Sequence, residues 1–200
     1  MDVLFPSRLV GLTAVGLLLA ACGGTEAPQP SISRPCPAGG ATVQVDDESA
    51  ALKACTSVGG DLAVGPSFAL RSLSGLARIE RVAGELDVSG NLELTGVYLP
   101  ALTAIDGDLV VENNRQVATV SLHRLVEVKG DLTVRDNREL LRLDLGALRR
   151  VGGRLEVSGH PQLDAVVLDR LERAGELVLE DNPAWPAQDV ERLTRRLAPR

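Results

Sequence analysis

The tripeptide Gly-x-Leu returns along this chain at Gly60, Gly84, Gly107, Gly130, Gly153 and Gly175, at spacings of 24, 23, 23, 23 and 22 residues. A unit of that length has too little apolar surface to close a core by itself. Units of this period bury their apolar residues only by stacking on one another, which makes the chain a solenoid. Composition agrees with layered stacking: 44% of the residues are hydrophobic but only 2% are aromatic, so Leu, Val, Ala and Ile must fill the interior.

Each unit resolves into three apolar segments. The first alternates apolar with polar residues, as in Leu86 and Val88 or Leu132 and Val134. This two-residue period is that of a strand with one face inward. A corner follows, at a residue tolerant of left-handed backbone (Gly90, Asn113, Asp136, Gly159, Asp181), and then Asn91, Asn114, Asn137 or Asn182, with His160 at that place in the fifth unit. Tight corners strand backbone N–H and C=O groups, and a buried amide supplies both a donor and an acceptor. The asparagines are therefore expected to form a structural ladder. A second inward pair (Val97 and Leu99, Val120 and Leu122, Leu143 and Leu145, Val166 and Leu168) and a third (Leu102 and Ile105, Leu125 and Val128, Leu148 and Val151, Leu171 and Ala174) complete a triangular turn. The expected fold is all-β: a right-handed parallel β-helix, or solenoid, of about six coils with ~23-residue repeats and short capping helices at both ends.

The segment Leu86, Val88, Asn91 also fits an ordinary leucine-rich repeat. The fit then slips, because the next apolar anchor (Leu94, Val117, Leu140, Leu163) falls three residues after the asparagine and a second alternating pair stands where a horseshoe places a helix or arc. The pattern resembles instead the receptor L domain, the leucine-rich-like β-helix of insulin- and epidermal-growth-factor-type receptors. The resemblance runs from Cys36 to about Leu197, and its most specific part is "CTSVGGDLAV", Cys55 to Val64, which is similar to the disulfide-bearing entry into the family's first coil. It implies a recognition module and supplies no ligand residues. Before that entry, "DDESAALKAC" is expected to form a capping helix with Asp46 or Asp47 as N-cap and Leu52 turned inward. At the other end "QDVERLTRRL" aligns Val190, Leu193 and Leu197 on one helical face, and Trp185 takes the anchor place of Leu94.

The first residues carry a different message. An apolar run from Leu9 to Ala21 follows Arg8; its 13 residues fall short of the roughly 20 that span a bilayer, and mark an export signal over residues 1–21. It ends in "LAAC", Leu19 to Cys22, which resembles the lipobox of bacterial lipoproteins. That resemblance implies that Cys22 is the acylated mature N-terminus, holding the protein to a lipid bilayer; the alternative is a plain cleavage site beside an unrelated cysteine. Gly23, in place of the aspartate that retains Gram-negative lipoproteins at the inner membrane, points to the outer membrane. Residues 22–35, rich in Gly, Pro and Ser, form a tether, and residues 36–200 form the solenoid. Setting Cys22 aside leaves Cys36 and Cys55, an even pair in an exported chain, expected to be bridged.

In this register the outward residues of the first strands are Asp61, Glu85, Asp87, Asp108, Glu112, Asp131, Glu156, Glu176 and Glu180, against Arg135 and Arg154. The third segments are mildly basic, with Arg78, Arg81, Arg124, Arg149, Arg150, Arg170 and Arg173 opposed by Glu80, Glu127, Asp169 and Glu172. The acidic face, represented by Asp87, Asp108 and Asp131, is the candidate surface for a protein partner of opposite charge. A net charge of −6 speaks against a nucleic-acid partner. No cofactor or metal is expected: the acids are too regularly and singly disposed to cage a calcium ion. No catalytic motif stands out, and His123 and His160 fall in different coils with no Ser or Cys nucleophile beside them. Two other readings are a structural surface spacer without a dedicated ligand and a carbohydrate-active β-helix. The second is weakened by the lack of aromatic platforms, since only Tyr98 projects from an expected sheet.

Overall fold

A computed structural model describes residues 36–197. The leader, Cys22 and the rest of the tether lie outside the described residues. What remains is a three-sided stack of about six coils, built of short strands joined by tight corners, in which every strand pairing is parallel.

The first and longest side, face 1, has seven strands in sequence order: Ala41–Val43, Leu62–Val64, Leu86–Ser89, Leu109–Glu112, Leu132–Arg135, Arg154–Ser158 and Glu176–Glu180. Face 2 has four, Gly96–Tyr98, Thr119–Ser121, Arg142–Asp144 and Ala165–Val167. Face 3 is built from five two-residue strands, Ser57–Val58, Arg81–Val82, Ala104–Ile105, Glu127–Val128 and Arg150–Val151. Neighbours in each sheet are one coil apart, and like residues stack: Leu86 on Leu109, Leu109 on Leu132, Leu132 on Leu155. The inward residues expected from the two-residue period form the core, and Leu86, Val88, Leu94, Val97, Leu99, Leu102 and Ile105 of one coil are fully buried. Packing aliphatic copies over one another on all three sides lets a 23-residue unit exclude water from its whole interior.

At the entry, helix α1 (Asp46–Ala51) carries Leu52 at its C-terminal end, buried against the first coil. The N-cap is Val45, correcting the expectation of Asp46 or Asp47. The Glu48 carboxylate reaches back to accept the N–H groups of Gln44 (2.6 Å) and Val45 (3.2 Å), so no cap from Asp46 is needed. Asp46 instead accepts the N–H groups of Arg71 and Ser72, tying the helix to the first coil. Cys36 and Cys55 are bridged, with Cα atoms 5.4 Å apart. At the far end, helix α2 (Ala187–Leu197) buries Leu193, while Val190 and Leu197 pack half-buried against the core and Trp185 lies buried at the anchor position.

Candidate binding face

The corners that follow face 1 hold a continuous buried polar ladder. Asn91, Asn114, Asn137 and His160 are all essentially inaccessible to solvent. The Asn114 side-chain oxygen accepts from Asn91 N (3.2 Å) and Asn91 Nδ2 (2.9 Å), while its Nδ2 donates to the Val88 carbonyl (2.8 Å) and to Asn137 Oδ1 (3.1 Å). Asn137 repeats the pattern with Val111, and the half-buried Asn182 closes the row by accepting from His160 N and donating to the Val157 carbonyl. His160 acts as a neutral imidazole: Nε2 donates to the Val134 carbonyl (3.0 Å) and Nδ1 accepts from Asn137 N (3.3 Å). Burial pushes its pKa down, which outweighs the backbone bonds acting in the other direction. Ser67, which the sequence pattern did not single out, takes the same place in the first coil, accepting from the N–H groups of Ala69 and Leu70. The residues before the ladder at Asn113, Asp136 and Asp181 have φ of 55°, with Gly90 and Gly159 at 66° and 75°.

On face 1 the acidic residues divide into two kinds. Asp61, Asp108 and Asp131 each send Oδ1 forward to the next coil, where it accepts the backbone N–H of Glu85 (2.9 Å), Asp131 (2.8 Å) and Arg154 (2.8 Å) respectively. To get there the carboxylate passes over the glycine that opens that coil. A Cβ on Gly84, Gly130 or Gly153 would fall on that oxygen, so glycine is required there by a side chain one coil earlier. Two of the three candidate binding residues, Asp108 and Asp131, therefore also hold the stack together. Glu85 and Asp87 have no such bond. Asp87 sits mid-strand between Ala63 and Val110, with Oδ1 buried and unpartnered.

Charge along face 1 is also uneven. In the later coils Arg135 pairs with Glu112 (2.7 Å) and Asp136 (3.5 Å), and Arg154 with Glu176 (2.9 Å) and Glu156 (3.7 Å). In the earlier coils Asp61, Glu85, Asp87 and Asp108 lie together with no cation among them in these ion pairs. Partial burial and the charges of Asp87, Asp108 and Asp61 hold the Glu85 carboxyl above the usual carboxylate range. Asp131 stands at the boundary, near enough to Arg154 to contribute to that guanidinium's raised pKa. Phe68, on the corner following face 1 in the first coil, is 83% exposed. Its equivalents in the next coils are Leu92, Arg115 and Arg138, so an aromatic in this row was the one sequence signal for it.

Face 3 is less basic than its arginines imply. Asp106 lies between Arg81 (2.5 Å) and Lys129 (2.7 Å), which hold its carboxyl below the usual range. Arg149 pairs with Glu172 and Arg150 with Glu127 across neighbouring coils. Face 2 presents Tyr98, half-exposed, its ring lying over Gly96 where any Cβ would collide with it. Among the described residues no group of three or more His, Cys, Asp or Glu is disposed to hold a metal ion.

Comparison with known proteins adds one relation. Neither the curated proteins nor the solved structures include a match to this chain. Residues 54–145, just under half of the chain, match the family model of the receptor L domain. That stretch begins beside Cys55 and runs through the face 2 strand of the fourth coil, so the part of the chain carrying the acidic cluster is the part that is similar to a receptor L domain.

Proposed function

We propose that this chain is a non-enzymatic recognition module that binds a cationic protein or peptide through the early coils of face 1. The observation that carries the reading is the cluster of Asp61, Glu85, Asp87 and Asp108, uncompensated while the same face a few coils later is neutralised by arginine. A protein gains no stability from such a cluster; the Glu85 carboxyl is held up first by its partial burial and then by the charges of Asp87, Asp108 and Asp61. Charge of one sign on a flat, rigid sheet accelerates and orients the approach of an oppositely charged partner. Phe68, exposed on the corner that follows face 1 in the first coil, offers an aromatic side chain of the kind that anchors interfaces. Similarity to the receptor L domain over the same coils supports recognition as the activity.

In this reading the mature protein starts at an acylated Cys22, residues 1–21 having served as the export signal, and residues 22–35 tether the domain of residues 36–200 to a membrane, the outer one by the Gly23 criterion. The bridged Cys36–Cys55 pair agrees with an oxidising compartment outside the cytosol. Lipid attachment is tested by mass spectrometry of the mature N-terminus, where a diacylglyceryl cysteine is expected and an unmodified serial truncation would refute it.

Binding is tested by affinity capture from envelope extracts on the immobilised chain, comparing wild type with Glu85→Lys/Asp87→Lys and with Asp108→Asn. The asparagine keeps the oxygen that accepts from Asp131 N while removing the charge, so the fold is untouched. A captured partner lost from the variants supports the module. Equal capture, or none at all, favours a structural spacer.

A further inference from the structure

The last coil is finished on one side and left open on another. In every earlier coil the inward residues of face 1 donate to the following coil, as Leu86 N does to the Asp108 carbonyl and Leu109 N to the Asp131 carbonyl, both at 2.8 Å. The last strand, Glu176–Glu180, pairs with Arg154–Ser158 and, among the described residues, with no other strand. Its inward Leu177 and Leu179 thus turn their backbone N–H and C=O groups to a free edge. Their side chains are half-exposed, whereas Leu132 and Val134 at the same places two coils earlier are buried. Helix α2 does not close this edge. It caps the end of face 2, where the Arg196 guanidinium donates to the carbonyls of Leu168 and Asp169. Between α2 and the free edge lies a groove of about 820 Å³, walled by Leu179, Trp185, Val190 and Pro183.

We infer that this edge is a second binding site, which takes an extended peptide of alternating apolar and basic residues as one further parallel strand. The backbone groups of Leu177 and Leu179 supply the pairing, and the groove takes the inward side chains of the added strand. Charge selects the occupant. Glu180 and Asp181 flank the edge, exposed and without an ion pair among the described residues, while Glu191, which lines the groove, is offset by its pair with Arg195 (2.7 Å). A second copy of this chain is the poorer fit, because the opposite end of the stack presents Asp46, Asp47 and Glu48 in α1, and end-to-end stacking would set acid against acid. This site lies on the coil edge, away from the early coils of face 1, and does not depend on the reading of that face.

Trp185 is the one tryptophan of the chain and lines the groove, so its emission reports on occupation there. The full chain is titrated with a ten-residue peptide alternating valine and lysine. A saturable change in Trp185 emission is expected, with a slower association and a lost salt dependence in Glu180→Lys/Asp181→Asn, since exposed charges at an interface act mainly on association rate. Asparagine at 181 tolerates the φ of 55° there, and unchanged thermal unfolding of the variant checks that it folds. The same peptide methylated at its lysine amides, which by the register of the coils face the strand, is expected not to bind. Equal binding of the methylated peptide, or no emission change at millimolar peptide, overturns the inference. So does concentration-dependent self-association abolished by the same substitutions, which would assign the edge to a second copy.

Discussion

Replacing Asn114 by alanine removes the centre of the buried ladder. Four bonds go with the side chain: those from Asn91 N and Asn91 Nδ2 to its oxygen, and those from its Nδ2 to the Val88 carbonyl and Asn137 Oδ1. The groups left behind do not fare equally. Asn91 Nδ2 keeps the carbonyls of Val64 and Ser89, and Asn137 Oδ1 keeps the N–H of residue 114, but the buried N–H of Asn91 has no other acceptor within reach. An orphaned buried donor costs about 1–3 kcal/mol, and each of the other lost bonds about 0.5–1.5 kcal/mol, so the substitution is expected to destabilise by about 3–5 kcal/mol. Equilibrium unfolding in guanidinium chloride, read by circular dichroism, measures it. Asn113→Gly is the control. That neighbour is exposed with φ of 55°, a conformation glycine adopts freely, so it should change stability by less than about 0.5 kcal/mol. A loss below about 1 kcal/mol for Asn114→Ala, or equal losses for the two variants, would refute the claim that the ladder satisfies the corners.

Protonation of His160 gives a second test. Its folded pKa is depressed, so the unfolded chain takes up the proton first and stability falls as pH drops from the ordinary histidine value towards the lowered one. His160→Asn, which can repeat the bonds of Asn137, is expected to remove this component and flatten the unfolding free energy across that window; a parallel loss in both proteins would contradict it. Glu85 has the opposite sign. Its folded pKa is raised, so the native state holds the proton longer and stability falls as pH rises through the window above the ordinary carboxylate value. Glu85→Gln should therefore raise the melting temperature at neutral pH and lose that advantage in acid. Gly130→Ala should cost about 1–3 kcal/mol, because the new methyl displaces the Asp108 carboxylate from Asp131 N; combining it with Asp108→Ala should cost less than the sum of the two single changes, and strict additivity in urea unfolding would count against the coupling.

Most of the architecture was legible because it is repetitive. Once Gly84, Gly107 and Gly130 were aligned, the two-residue and corner periods assigned Leu86, Val97 and Ile105 to three sides of one interior, and all three are buried. What escaped the sequence depends on how one coil meets the next. The glycines mark the repeat, but the reason for them lies in the coil before: an arriving carboxylate at Gly84, Gly130 and Gly153, and close backbone at Gly60, Gly107 and Gly175. The two-residue period places the outward charges on face 1, yet their cancellation follows from stacking Glu112 beside Arg135 and Arg154 beside Glu176, which leaves the early coils acidic. On face 3 the arginines are paired by stacking, with Asp106 set between Arg81 and Lys129 of different coils, a placement the register of a single coil does not give. Ser67 was missed because the ladder pattern was written in asparagine, whereas a hydroxyl serves at the first corner. The N-cap of α1 was misplaced because Asp46 had a longer-range partner than its own helix. The open edge at Leu177 and Leu179 depends on where α2 comes to rest, and a helical pattern alone does not fix its direction.

The most direct test of the proposed recognition face is site-specific photo-cross-linking to the captured partner. A photoreactive residue is placed in turn at Ala63, beside Asp87 on early face 1, at Thr133 on the same face one coil beyond the acidic cluster, at Tyr98 on face 2 and at Ala104 on face 3. The account predicts that position 63 couples strongly, 133 weakly, and 98 and 104 not at all, with coupling at 63 suppressed by raised salt. Equal coupling on all three faces, or coupling confined to positions 98 or 104, would contradict it.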